Sequence, residues 1–409
     1  MQLTNIYIMS ITDNGNTNGV DRYISSLIYG LSTNEKYNVI YISFLLDSNK
    51  IFIDKRKYGN CTYIEVPTPG KHHLFQDKSY WLDKYNEQLF KLIENEFDNT
   101  RFSILHIHYL NLITLALEIK KHIPVKIITH LHCIPWKNVY SINKEKYNFI
   151  HWRYIKKDYA ANNYITNINE LESYQKCDKI ICCAECGKDF LLNIAKVPEQ
   201  HIVTICNGIE DTYNVKKRNK NKITRLLFVG SVIPAKGVDF ILEAIEKVVK
   251  KGYKNIELYI AGGYESRYKN SLLEKYHNVK QHYLGRLTYV DLSYYYQTSD
   301  IGVIGSLFEQ NSYVAIEMCM NQLAMVITDS PGLDEMFTHD VNALKIPTTF
   351  DRISGLQIDT DAMCEAIISL IESDEKRMKI SKSARELYLR KYNLNEMINN
   401  IQNVYSSII

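Results

Sequence analysis

Short apolar runs that each break into a polar loop and then a helical pattern recur along this chain, and they constrain its fold more than any other feature. Ile6–Ser10, Val39–Leu45, Thr62–Val66, Ile104–Ile107 and Val125–Leu131 have the length and composition of buried strands. Amphipathic helices are expected from about Val20 to Leu31, over Tyr80–Glu96 and near Leu112–Lys121. The pattern returns after a polar, basic run at Lys216–Lys222, with strands expected at Arg225–Val229, Glu257–Gly263, Asp300–Ile304 and Ala324–Thr328. Strand, helix, strand is the grammar of a parallel α/β sheet, whose ligands gather beyond the carboxyl ends of the strands. At 409 residues the chain is too long for one ordinary core. Two such domains are therefore expected, with Lys216–Lys222 as the linker.

The stretch Ser306–Met318 carries the most chemistry. The run Asp300–Ile304 leads into a polar loop, and Ser312 is placed to cap a helix opening at Tyr313. The backbone N–H groups of such a terminus, here those of Tyr313 and Val314, suit a phosphate or diphosphate. Glu309 stands before this anion site and Glu317 on the helix behind it. A sugar nucleotide has hydroxyls on both sides of its diphosphate and fits that order. The same residues also describe a capping serine with two solvated acids.

Other strand ends hold further candidates. Gly230, Ser231, Lys236 and Gly237 follow the strand at Arg225, and a lysine there could set its ammonium on a diphosphate. Gly19 closes a turn-rich loop, Asp13–Gly19, between the first strand and the first helix. His108 and His132 sit at two strand ends, where a histidine is more often structural than catalytic; His130, one alternation from His132, is expected to face elsewhere. Asp359-Thr360-Asp361 has the D-x-D form of a metal-binding motif, but its place at a helix start argues for capping.

Composition excludes several classes. A net charge of +3 does not argue for nucleic acid as a partner. The N-terminus lacks a basic region and a long apolar stretch, and no run approaches the roughly 20 residues of a membrane span. Nine cysteines, an odd number, point to a reducing cytoplasm. Cys177, Cys182, Cys183 and Cys186 invite a zinc reading, but adjacent Cys182 and Cys183 on one strand should face opposite sides, so no metal is expected. Residues 133–165 are basic and aromatic, with Trp136, Lys137, Tyr140, Lys144, Lys146, Tyr147, Trp152, Arg153, Tyr154, Lys156 and Lys157. That mixture suits peripheral membrane contact or an anionic acceptor, and equally a solvated helix with core aromatics.

Glu309 and Glu317, spaced E-x(7)-E, together with Gly19, Cys206-Asn207-Gly208-Ile209-Glu210 and Gly230-x(5)-Lys236-Gly237, resemble the large family of retaining GT-B glycosyltransferases. The match runs in the family's order from Gly19 to Tyr405. It implies two doubly wound Rossmann-like domains with the active site in the cleft between them: 1–212 on the acceptor side, 213–390 binding the donor, and a helix in 391–409 crossing back. It also implies retaining transfer of a hexose or N-acetylhexosamine from a nucleoside-diphosphate sugar, UDP favoured. The acceptor would be a hydroxyl on a glycan, lipid-linked glycan or polypeptide. The setting would be the cytoplasm, or its membrane face, and no cofactor is implied.

In that scheme Glu309, His132 and Lys236 serve the reaction, with His132 near the transferred sugar and Glu317 on the ribose. Gln310, Asn311 and Ser312 meet the sugar hydroxyls, where relatives usually carry Gly-Phe-Gly. Two further positions depart from the family. Ser231 replaces the usual arginine, with Arg286 as the candidate substitute cation, and Pro331 replaces a glycine. A GT-B sugar-nucleotide epimerase and a non-catalytic GT-B partner share the resemblance.

Overall fold

The computed structural model describes residues 3–13, 19–46, 50–68, 79–134, 144–155, 168–213, 223–351 and 353–409. They form two compact units.

The first unit contains the chain to Ile134, the stretch ending at Gly208, and Leu394–Ile409. Its eight strands are β1 (Thr4–Asp13), β2 (Tyr37–Leu46), β3 (Asp54–Tyr58), β4 (Cys61–Thr68), β5 (Ser103–Ile107), β6 (Val125–Leu131), β7 (Lys179–Cys182) and β8 (Ile202–Thr204). They lie in the order β3-β4-β2-β1-β5-β6-β7-β8, and all neighbours run parallel except β3, which is antiparallel to β4. Helices on both faces leave the inner strands largely apolar, as at Ile104, Leu105 and Ile107. Strand β3 breaks that pattern. Its Lys55, Arg56 and Lys57 are exposed, which suits an edge that must not recruit another strand. The helix Leu394–Ser406 packs on the helix Gly19–Ser32, where a side chain at Gly30 would stand 2.3 Å from Ile398 Cγ1.

The second unit contains the helix Lys144–Ile155 together with Ile209–Asn393. Its parallel sheet is built from β9 (Thr224–Val229), β10 (Ile256–Ala261), β11 (Gln281–Gly285), β12 (Ile301–Ile304), β13 (Ala324–Thr328) and β14 (Leu344–Ile346). The order is β11-β10-β9-β12-β13-β14, so the winding reverses between β9 and β12. A small antiparallel hairpin, β15 (Thr348–Asp351) and β16 (Gly355–Ile358), follows. The helix Val238–Lys250 shows why these segments are helical. Val238, Ile241, Leu242, Ile245 and Val248 make one buried stripe, with Asp239 in the first turn and Lys247 and Lys250 in the last. Each such aliphatic side chain stabilises the unit by roughly 1.5–3 kcal/mol on burial.

The units divide the chain differently from the expected 1–212 and 213–390. The helix Lys144–Ile155 belongs to the second unit, packed on β16, because its inner face of Tyr147, Asn148, Ile150 and His151 is buried there. His151 lies 4.8 Å from the Phe350 ring, and a side chain at Gly355 would meet Asn148 at 2.7 Å.

Candidate functional site

Loops gather at the carboxyl end of the second unit's parallel sheet, and the reversal between β9 and β12 sets the two most important side by side. After β9, the chain makes a short 3₁₀ turn over Pro234–Lys236 and enters Gly237 at φ +65°. A Cβ at Gly237 would lie 1.9 Å from the Gly305 carbonyl oxygen, so only glycine permits this approach of the loop after β12. The Leu307 N–H donates to the Ala235 carbonyl at 3.0 Å and ties the two loops together. Their side chains meet as a result. Lys236 Nζ lies 2.5 Å from Glu309 Oε1, which also accepts from the Ser306 hydroxyl at 2.8 Å. Both members of the pair remain partly exposed.

The helix Tyr313–Met320 opens where the spacing predicts. The Ser312 hydroxyl accepts from the Ala315 N–H at 3.4 Å, leaving Tyr313 and Val314 in the first turn. Gln310, Asn311 and Ser312 are buried in the preceding loop. Glu317 is buried too, only 2 % exposed, and its Oε2 accepts from the Tyr296 hydroxyl. The loop after β13 presses on this one, since a Cβ at Gly332 would lie 2.2 Å from the Gln310 carbonyl. Pro331, where relatives carry glycine, stands at the first turn of the helix Pro331–Met336, where its missing N–H and fixed φ cost nothing. Asp359 caps the next helix through Ala362 N–H, as its position predicts.

Ser231 and Arg286 line one cleft of about 610 Å³ with Pro234, Gly263, Tyr264 and Tyr268. The loop after β11 thus brings a guanidinium to the opening that contains Ser231.

In the first unit, Gly19 begins the helix Gly19–Ser32; Asn14 to Asn18 lie outside the described residues. His132 is found with three other histidines. His106 lies on β5 and His108 just past its end, and His130 lies on β6 and His132 just past its end. The His130 and His132 rings stack at 4.1 Å, which corrects the expectation that His130 faces elsewhere. Residues two apart share a face of a strand, so His130 lies on the same side as His132. Tyr23 covers both rings, at 4.4 and 5.0 Å between centroids. His108 Nδ1 is 3.0 Å from His132 Nε2, and His106 Nδ1 is 2.8 Å from the Tyr405 hydroxyl.

Burial pushes His106 down to about 3. It likewise drives His108 and His130 well below the usual range, helped by their neighbouring imidazoles. All three are therefore neutral near pH 7.

Of the basic, aromatic segment, Trp136, Lys137, Tyr140, Lys156 and Lys157 lie outside the described residues. Within the helix Lys144–Ile155, Tyr147 is a core aromatic, while Lys146 is exposed and Arg153 lies over Phe149 at 5.6 Å. Sequence reasoning overlooked the Tyr296 and Ser306 partners and the histidine ladder as a whole. Only the ladder left a signal, the repeated His-x-His at two strand ends.

Two doubly wound parallel units, one with a lysine–glutamate pair and a capped helix at its switch point, define a GT-B protein. Comparison with known families agrees: "Glycosyltransferase Family 4" matches residues 17–213 and "Glycosyl transferases group 1" residues 210–387. The chain belongs to the group 1 glycosyltransferases, with a family 4 N-terminal part. An uncharacterized glycosyltransferase of Methanocaldococcus jannaschii is 23% identical over 403 residues, 95% of each chain. A second from that organism is 28% identical over 191 residues, 42% of this chain and 48% of its own, so this chain spans about half the length of that relative.

Among solved structures, sucrose-phosphate synthase from Thermosynechococcus elongatus superposes with a TM-score of 0.76 at 15% identity, covering 99% of both chains. Anabaena HepE, in complex with UDP and glucose, gives 0.68 at 12%, covering 98% of this chain and 99% of its own. At these identities the likeness concerns the fold.

Proposed function

We propose that the protein transfers a hexose or N-acetylhexosamine, with retention, from a UDP-sugar to an acceptor hydroxyl on a glycan, lipid-linked glycan or polypeptide. The observation that carries this reading is the convergence of Lys236, Glu309 and the Ser312-capped helix at the switch point of the second unit. Departure of the nucleotide builds negative charge on the diphosphate and positive charge on the sugar. A lysine ammonium and a helix N-terminus near the diphosphate stabilise that separation more than they stabilise the bound donor.

Lys236 and Glu309 pair with one another. A donor would part them, its phosphate taking the ammonium and a sugar hydroxyl taking the carboxylate. Glu317, held by Tyr296, would accept from the ribose hydroxyls. Arg286, in the cleft with Ser231, would supply the second cation. The acceptor oxygen bonds to the anomeric carbon on the face that the leaving group vacates, and its proton passes to a phosphate oxygen. No protein base is required.

The nine cysteines, none in a disulfide, fit a reducing compartment such as the cytoplasm. Among the described residues no helix is long and apolar enough to cross a membrane. The UDP and UDP-glucose seen in complexes of a structural neighbour support the choice of nucleotide.

The test is mass spectrometry of the products formed when purified protein meets a panel of nucleotide sugars, with and without cell extract. Transfer predicts release of UDP and an acceptor heavier by one sugar residue. An isomerised sugar or free hexose from donor alone would point to epimerase chemistry, and donor binding without turnover to a non-catalytic partner.

A further inference from the structure

The histidine ladder of the first unit contains more imidazole nitrogen than the proposed reaction uses. His106, His108 and His130 are 0 %, 3 % and 4 % exposed, and four of their ring nitrogens are buried with no hydrogen-bond partner among the described residues: Nε2 of His106, Nε2 of His108 and both nitrogens of His130. Buried polar groups of this kind are rarely left unsatisfied, and an ion or ordered water is the usual explanation. Their chemistry favours an ion. Neutral imidazole is a ligand for late first-row transition metals, and here it is presented by a His-x-His pair on one strand and a third histidine on the next. His106 pairs in register with Ile128 and Ile107 with Thr129, so one step further His108 falls beside His130.

The hydrogen bonds present also select the ligand atoms. The Tyr405 hydroxyl occupies Nδ1 of His106, and His132 occupies Nδ1 of His108; in each ring Nε2 is the atom left over. Metal-bound histidines are oriented in this way by a partner on the other ring nitrogen.

We propose that His106, His108 and His130 form a three-histidine site for a late first-row transition-metal ion such as Zn²⁺, joining β5 to β6. One donor atom from each residue lies within 4.8 Å of the other two. Tetrahedral Zn–N bonds of roughly 2.0–2.1 Å require ligand atoms about 3.4 Å apart, so binding draws the rings inward and turns them out of their stack. A fourth position is left for water or hydroxide. Because the three ligands are neutral, the dication finds no compensating carboxylate among them. A site of that kind favours an ion that can share its charge with nitrogen and disfavours Mg²⁺ or Ca²⁺.

The experiment strips purified full-length protein with a chelator, reloads it with Zn²⁺ and measures bound metal after exhaustive dialysis. About one Zn²⁺ per chain is expected, with Mg²⁺ failing to compete. His106→Gln and His130→Gln should each lose at least nine-tenths of it, whereas His277→Gln, at an exposed histidine, should keep it. Loading the unmutated protein with Co²⁺ guards against variants that fail to fold. Intense visible ligand-field bands without a thiolate charge-transfer band indicate tetrahedral nitrogen ligation, while a thiolate band would move the site to the cysteines and overturn the assignment. Failure of the wild-type protein to retain Zn²⁺, or full retention by folded His130→Gln, would overturn it as well.

Discussion

Lys236 meets Glu309 without any relay, so the account of the reaction can be tested one side chain at a time. Removing a single preorganised charge from a developing oxyanion typically costs 10²–10³ in rate, so Lys236→Ala should lower turnover about a hundredfold. Activity within twofold of wild type would exclude the role. The two glutamates should separate by ligand. Isothermal calorimetry on Glu317→Gln should show weaker binding of both UDP and the intact donor, while Glu309→Gln should weaken only the donor; equal losses in both variants would erase the distinction. Arg286→Ala should weaken UDP, and adding Ser231→Arg should restore much of the loss, because both positions line one cleft. No rescue, with unchanged UDP affinity in the single variant, would remove Arg286 from the site. The meeting of Lys236 with Glu309, 73 residues apart, is not written in any local pattern, but the Ser312 cap was legible because it depends on near neighbours in sequence. Tyr296 as the partner of Glu317 was not, since that pairing arises only when two helices pack on one face of a sheet.

At the scale of elements, the parallel strands declared themselves by continuous apolar runs, because both faces of such a sheet are covered. The strand β3 and the hairpin β15–β16 did not, since edge strands need no apolar pattern and Asp54–Tyr58 is mostly charged. The place of the helix Lys144–Ile155 was equally hidden, its partner hairpin lying some two hundred residues on in the sequence.

Where elements join, single polar groups matter. Burial raises the Asp178 carboxyl, but the Ile127 N–H and the ammonium groups of Lys120 and Lys126 outweigh this and hold it below the usual carboxylate range. It tethers the start of β7 to β6. Its contribution is therefore present above about pH 4, the unfolded carboxyl value, and lost as pH falls through the lower folded value. Asp178→Asn keeps an acceptor for Ile127 and loses the charge. Denaturant titration should find it about 1–2 kcal/mol less stable at pH 7, with the gap closing on acidification below pH 4. A gap that persists unchanged at pH 3 would contradict this tether.

At the scale of the molecule, the two-domain α/β plan followed from length and from the repeated strand–helix grammar. The unit boundaries depend on contacts that no local pattern encodes: the helix Lys144–Ile155 already belongs to the second unit, and the chain changes unit again at Gly208–Ile209 and at Asn393–Leu394. Of the departures from the family pattern, Pro331 stands in the first turn of a helix, and Ser231 lines one cleft with Arg286, the cation proposed to act in place of the missing arginine. The central claim is retaining transfer from a nucleotide sugar. Proton NMR of the wild-type reaction, followed from the first minutes with the donor and acceptor selected by product screening, tests it most directly. The account predicts UDP release matched one for one by a glycosidic product whose anomeric configuration is that of the donor; a product of inverted configuration would contradict it.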